Sequence, residues 1–175
     1  MKFKTIALVI ALSATSFGVA AVDGYKGVKF GSDLKTVIAA KWCNLKKYEE
    51  KKINGVESYY CQDFKFSGSN SLTMVLFLNG KFERLAITLN DGINPVVAAL
   101  ERKYGQPSSS STPDEAKAAL ANGGTIYIRY DNDTIFVAGH RDASTGKDFS
   151  QLIYTSPNFD QAMAAQQAKN LGNDL

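Results

Sequence analysis

Hydrophobic and polar positions along the chain fall into helical and strand-like spacings that lay out its elements. Tyr25 to Phe30 reads as a short strand, after which Gly31-Ser32-Asp33 supplies a turn and an N-cap. Leu34, Val37, Ile38 and Trp42 recur at helical spacing and predict the buried stripe of a first helix, with Cys43 at its end. Strand patterns follow at Tyr48 to Ile53 and Ser58 to Phe66, joined by Asn54-Gly55, a dipeptide whose backbone freedom suits a tight hairpin. The apolar run Leu72 to Leu78 and the alternating run Phe82 to Leu89 flank Asn79-Gly80 and make the strongest hairpin signal in the chain.

The second half repeats the order of helix before strands. Asn94 and Pro95 open a helix through N-cap and N1 preferences. Val97, Leu100 and Tyr104 share one face of it, Arg102 and Lys103 lie in its last turn, and Gly105 and Pro107 end it. Ser108 to Ser111 reads as a flexible polar stretch, and Thr112 to Glu115 as a capping box opening an alanine-rich helix that stops at Asn122-Gly123-Gly124. Strands are expected over Thr125 to Tyr130, Thr134 to His140 and Phe149 to Thr155, with turns at Asp131-Asn132-Asp133 and Ser144-Thr145-Gly146. A loosely packed helix over 157–171 closes the chain.

Hairpins, rather than alternating β-α-β units, predict an α+β fold with helices on one face of an antiparallel sheet. Residues 25–90 and 91–156 each place a helix before a set of strands, so the domain of residues 22–175 is open to division into two tandem helix-then-strands modules. The halves share almost no residue identity, and the repeat is read as a topology alone.

The first 21 residues change the picture from fold to compartment. Lys2 and Lys4 form a positive start, Ile6 to Leu12 a short apolar core, and Val19-Ala20-Ala21 a small-residue cleavage site, the signature of a secretory signal peptide cut near Ala21 or Ala20. Ser13, Thr15, Ser16 and Gly18 interrupt the apolar run well short of a membrane span. No cysteine follows the cut to accept a lipid, so no membrane anchor is expected after cleavage.

Two of the 20 lysines and arginines lie in that leader, which leaves 18 against 17 acidic side chains and a net charge of +1. Such a balance gives no support for nucleic-acid binding or a polybasic membrane patch. Lys46, Lys47, Lys51 and Lys52 are interleaved with Glu49 and Glu50 and read as a solvated surface. In an oxidising compartment, Cys43 and Cys61 are expected to form one disulfide, worth about 3 kcal/mol for a loop of this size. A redox-active pair instead favours Cys-x-x-Cys spacing, which seventeen intervening residues do not provide.

Phe30-Gly31-Ser32, Val37 in the short helix, Cys43, and Cys61 in a following strand are similar to the helix-and-sheet module of the beta-lactamase inhibitory proteins. Tyr104-Gly105-Gln106-Pro107 resembles the Gly-x-Pro that closes the helical part of the BamE/SmpA outer-membrane assembly lipoproteins. The resemblance covers residues 28–107. The chain departs from it by lacking a lipid-modified cysteine and, in its second half, a cysteine pair and a Phe-Gly-Ser/Thr helix entry. What the resemblance implies is a protein-binding scaffold in the cell envelope, with no inhibited enzyme identified.

Candidate chemistry is sparse. His140 is the sole histidine; Arg141, Asp142 and Asp148 are its charged neighbours in sequence, and no metal-ligand spacing, nucleophile elbow or phosphate loop is present. No catalytic residue, metal or cofactor is therefore expected. Trp42, Tyr48, Tyr59 and Tyr60 cluster around the cysteines and are the candidate protein-binding residues, since rigid amphipathic aromatics dominate interfaces. The expected partner is another envelope or extracellular protein. The alternative is a small-ligand carrier or hydrolase with a site assembled across strands, which a deep apolar pocket with converging ionisable groups would favour.

Overall fold

The protein is described by a computed structural model over residues 21–49 and 54–174, and the leader, residues 1–20, lies outside them. Lys26 and Gly27 both adopt left-handed backbone, with φ of 43° and 85°, so the first strand pattern folds back on itself. It forms a two-stranded hairpin of β1 (Gly24–Tyr25) and β2 (Val28–Lys29). Asp33 caps α1 (Leu34–Ala39) by accepting from the Thr36 amide at 2.8 Å. Lys41 then takes φ 51° and turns the chain, which removes Trp42 from the helical stripe. Ile38 is 55% exposed rather than buried, and within α1 the buried side chain is Val37.

The strand expected at Tyr48 to Ile53 sits earlier, as β3 (Lys46–Tyr48); residues 50–53 lie outside the described ones. β4 (Val56–Phe66), β5 (Ser69–Leu78) and β6 (Lys81–Thr88) form a meander whose turns are Ser67-Gly68 and Asn79-Gly80, all four residues at positive φ. α2 (Asn94–Tyr104) ends at Gly105 as expected, but its N-cap is Ile93, without a side-chain capping bond, and Asn94 is already helical. The stretch read as flexible contains β7 (Ser109–Ser110), because its two serines pair with Arg129 and Ile128. α3 (Pro113–Asn122) carries the reciprocal Thr112–Glu115 capping box. β8 (Gly124–Tyr130), β9 (Ile135–Arg141), β10 (Asp148–Thr155) and α4 (Phe159–Asp174) follow and are the last elements of the described residues.

The fold is α+β, built on one eight-stranded antiparallel sheet in the order β3-β4-β5-β6-β10-β9-β8-β7. Each half contributes four strands in chain order, and pairing of β6 with β10 joins the halves at the centre. One face of the sheet carries the main core. Tyr59, Val75, Leu85, Tyr154, Ile135 and Tyr130 are successive register partners across six strands of it. The β1–β2 hairpin and α1 cover its first half through Tyr25, Val28 and Val37, and α2 covers the second through Leu100, Val96 and Val97.

Two irregularities keep that face apolar. The register shifts between Cys61 and Phe64, so two residues three apart both point inward. Likewise Phe82 pairs with Phe77 while Arg84 pairs with Leu76, which leaves Glu83 as an extra residue and lets Phe82 and Leu85 share the core. The Cys43–Cys61 disulfide, with Cα atoms 6.2 Å apart, ties the segment after α1 to β4 on this same face.

Candidate functional site

Because alternate strand residues point to opposite faces, every inward residue of the core has a neighbour on the other side of the sheet. Lys46, Tyr60, Met74, Ala86, Ile153, Phe136, Arg129 and Ser109 are successive register partners, an unbroken row across all eight strands. α1, α2 and α3 lie on the opposite side from this row. Its centre is apolar, since Ala86, Phe136 and Ile153 form a small buried cluster flanked by Tyr127 and Ala138.

What shields that cluster is arginine. The Arg129 guanidinium lies 4.6 Å from the ring centroids of both Tyr127 and Phe136, and Arg84 lies 5.7 Å from Phe136 on the other side. Stacking of this kind satisfies a weakly hydrated planar cation while its stem covers apolar surface. Arg84 also stacks at 3.9 Å on Phe159, the first residue of α4, donates to Thr155 Oγ1 at 3.1 Å and pairs with Asp160 at 2.7 Å. Burial lowers the Arg84 pKa from its ordinary value, and the Asp160 carboxylate acts against that shift. Arg129, by contrast, has no ion-pair partner among the described residues.

From Phe159, α4 follows one end of the sheet. The Gln166 carboxamide lies against Gly55, and Asn170 Nδ2 donates to the Asn54 carbonyl at 3.3 Å. Phe159, Ala162, Met163, Gln166 and Asn170 are its less exposed residues, a stripe at helical spacing. Among the described residues, the middle of the open face is therefore clear of helix.

The four aromatics singled out by sequence do not form one surface. Trp42 packs edge-on against Tyr25 and Phe82 beside the core, and Tyr59 packs edge-on against Phe77 and donates to Glu57 at 3.0 Å. Tyr48 and Tyr60 lie on the open face, their rings edge to face at 6.2 Å, with Tyr48 41% exposed. Sequence reasoning thus missed Arg84, Arg129, Phe136 and Tyr127. Tyr127, Arg129 and Phe136 belong to the one β8–β9 hairpin, but Arg84 comes from the distant β6, and only the strand order brings it to them.

His140 Nδ1 is 2.9 Å from Thr125 Oγ1, and its ring lies 4.8 Å from that of Phe149. Among the described residues no carboxylate bonds to it. Arg141 and Asp148, its sequence neighbours, instead form a two-pronged pair at 2.8 Å, and Arg141 also donates to the Leu120 carbonyl at the end of α3. Asp142 accepts from Ser144 and Thr145 in the turn that follows. These charges build a hairpin and hold α3. Cys43, Cys61 and Asp63 also gather within 4.8 Å of one another, but both sulfurs are joined in the disulfide and offer no thiolate.

A cleft of about 430 Å³ opens on the helix-covered face between the start of α2, α3 and strands β8 to β10. Leu89, Ile93, Ala119, Leu120 and Ile126 make it mainly apolar, and Gly139 forms part of its floor. The Arg141–Asp148 pair stands at its edge with its charges already matched.

A relative from Haemophilus influenzae named "Uncharacterized protein" is 29% identical over 180 residues, and the match covers 100% of each chain. No solved structure matches the chain. The chain belongs to the protein family described as "Uncharacterised protein", whose pattern matches residues 25–174, a span that takes in the eight-stranded sheet and α1 to α4.

Proposed function

We propose that this protein is exported to the periplasm or the cell exterior, where it acts without catalysis as a protein-binding module, either inhibitor-like or as an accessory to envelope assembly. The observation that carries this reading is the eight-residue row on the open face, where Tyr60, Met74, Phe136 and Arg129 lie on strands of one sheet. Arginine and large aromatics are the residue types that concentrate binding energy, and strands hold them with little freedom left to lose on association. Arg129 is already stacked on two rings and has no ion pair among the described residues, so a partner carboxylate meets a positioned cation.

The leader and the disulfide support the oxidising compartment. Among the described residues no helix is long and apolar enough to cross a membrane. The resemblance to the beta-lactamase inhibitory proteins and the BamE/SmpA lipoproteins supports the same class of function, as protein-binding scaffolds of the envelope.

The test is capture from envelope extract on the oxidised mature protein, followed by affinity measurement with the captured partner. Arg129→Ala and Tyr60→Ala are each expected to weaken binding about 30-fold while the melting temperature stays nearly constant. Unchanged affinity in both variants sinks the open face as the working surface. A second reading, a small-ligand carrier, draws on the apolar cleft at Gly139. Saturable binding of an apolar dye that Gly139→Leu abolishes is the result that would favour it.

A further inference from the structure

We propose that export cuts the Ala21–Val22 bond and that the α-ammonium group so released at Val22 closes onto Asp131, tying the mature N-terminus to the turn between β8 and β9. The inference rests on the export reading above but not on the open face. Hydrolysis of that bond by one water leaves a carboxylate on Ala21 and an amine on Val22. The amine takes up a proton near neutral pH, as α-amino groups titrate at about 8.

The geometry singles out this bond. The Val22 nitrogen lies 2.5 Å from Asp131 Oδ2, across 109 residues of sequence. The Val22 side chain packs on the core formed by Leu89, Leu100, Tyr130 and Leu152. Asp131 is partly buried, and among the described residues it has no cationic partner; its other side-chain contact is the Thr134 hydroxyl, which donates to Oδ2 at 2.8 Å. A cut one residue earlier leaves the charge on Ala21, about 3.8 Å further along the chain, and keeps an uncharged amide at Val22.

The turn is shaped to hold the carboxylate in place. Asp131, Asn132 and Asp133 all adopt left-handed backbone, with φ of 54°, 52° and 66°, an unfavourable run for residues other than glycine. Thr134, fully buried, shares its one hydroxyl proton between Asp131 Oδ2 and the Asp131 carbonyl, which lies 2.7 Å away, and Ser109 Oγ donates to Asp133 at 3.2 Å. Removing the leader converts an amide donor into a charge-assisted one, so the processed chain is the more stable form.

The experiment expresses the full precursor in a secreting bacterial host and reads the N-terminal peptide of the exported protein by mass spectrometry. Val22 is the expected first residue. A start elsewhere overturns this inference alone, whereas an uncut chain retained in the cytoplasm removes the export reading with it. Two further precursors separate the ion pair from the cut: one with a serine inserted between Ala21 and Val22, and one carrying Asp131→Asn. Each is expected to lower the melting temperature by about 3 °C, and the combination to lower it no further than either alone. Melting temperatures equal to that of the natural chain, or fully additive losses, overturn the pairing. If Asp131→Asn fails to accumulate, the insertion, which retains Asp131, still decides by melting temperature. Reductive methylation of its α-amine at least tenfold faster than in the natural chain is the matching expectation.

Discussion

The two faces of the sheet bury apolar groups by different means. On the covered face, Phe64, Phe77, Phe82, Leu85 and Ile87 are sealed beneath a hairpin, helices and a disulfide, and rings meet rings: Tyr25 with Tyr154 at 4.8 Å, Phe82 with Trp42 at 5.8 Å. On the open face, Phe136 and Ile153 are nearly as buried, yet arginine side chains do the covering. A lid of helix and disulfide is costly to lift. Guanidinium groups can exchange a stacked ring or water for a partner's carboxylate without disturbing the backbone beneath, so the second construction suits a surface that must also bind.

The sharpest way to break this comparison is to empty a site on each face. Phe82 is fully buried between Phe30, Trp42 and Phe77, so Phe82→Ala should cost about 3–5 kcal/mol of stability in denaturant melts. Arg129→Ala should cost little stability because it opens no cavity in the main core. Comparable losses in the two variants would show that the open face is also part of the structural core.

Next in size is the disulfide. Replacing Cys43 and Cys61 together by alanine should lower stability by about 3 kcal/mol, since the bridge closes a loop of 18 residues in separation. The affinity of the open face for a captured partner should not change. Loss of binding at full stability would move the working surface to the disulfide side, beside Trp42 and Tyr59.

How much of this was readable from sequence differs between the faces. Asn79-Gly80 located the β5–β6 hairpin and Thr112 to Glu115 located α3, because each acts within a few residues, whereas Asn54-Gly55 did not mark a two-residue turn: β3 ends at Tyr48, which pairs with Ser58. The bulges at Cys61–Phe64 and at Glu83 break the period-two rule, so alternation alone misassigns Phe64 and Phe82. Lys26 and Lys41 adopt left-handed backbone that nothing in their side chains announces, which is why a strand became a hairpin and Trp42 left its helix. The open-face site is the least legible, because Arg84 on β6 meets the Arg129–Phe136 pair of the β8–β9 hairpin only once β10 is placed between β6 and β9.

A third test uses pH to probe the covered face. Burial raises the Tyr25 pKa from 10.0 to about 12, and burial beside Tyr104 and Tyr25 raises that of Tyr154 as well. A raised folded-state value means that the neutral form is favoured by folding. The resulting stability is complete below the unfolded pKa near 10.0 and is lost as pH rises toward about 12. Melts at increasing alkalinity should therefore show a falling stability that a Tyr25→Phe, Tyr154→Phe double variant largely lacks. Identical pH profiles would show that these rings do not stay sealed in the native state.

The smallest expected effects come from two adjacent residues of β5, and they contrast the faces most directly. Thr73 points into the covered core, 1% exposed, with a buried hydroxyl that has no hydrogen-bond partner among the described residues. Leu72 points the other way and is 43% exposed. Replacing an unsatisfied hydroxyl by a methyl of the same shape removes a desolvation cost, so Thr73→Val should stabilise the protein by about 1 kcal/mol. Leu72→Ser removes a side chain that already meets water and should shift stability by no more than about 0.5 kcal/mol. If Thr73→Val destabilises, the hydroxyl has a partner such as a buried water; if Leu72→Ser does so by a kilocalorie or more, the open face is covered in solution, and α4 or a second copy of the chain is the segment to look for there.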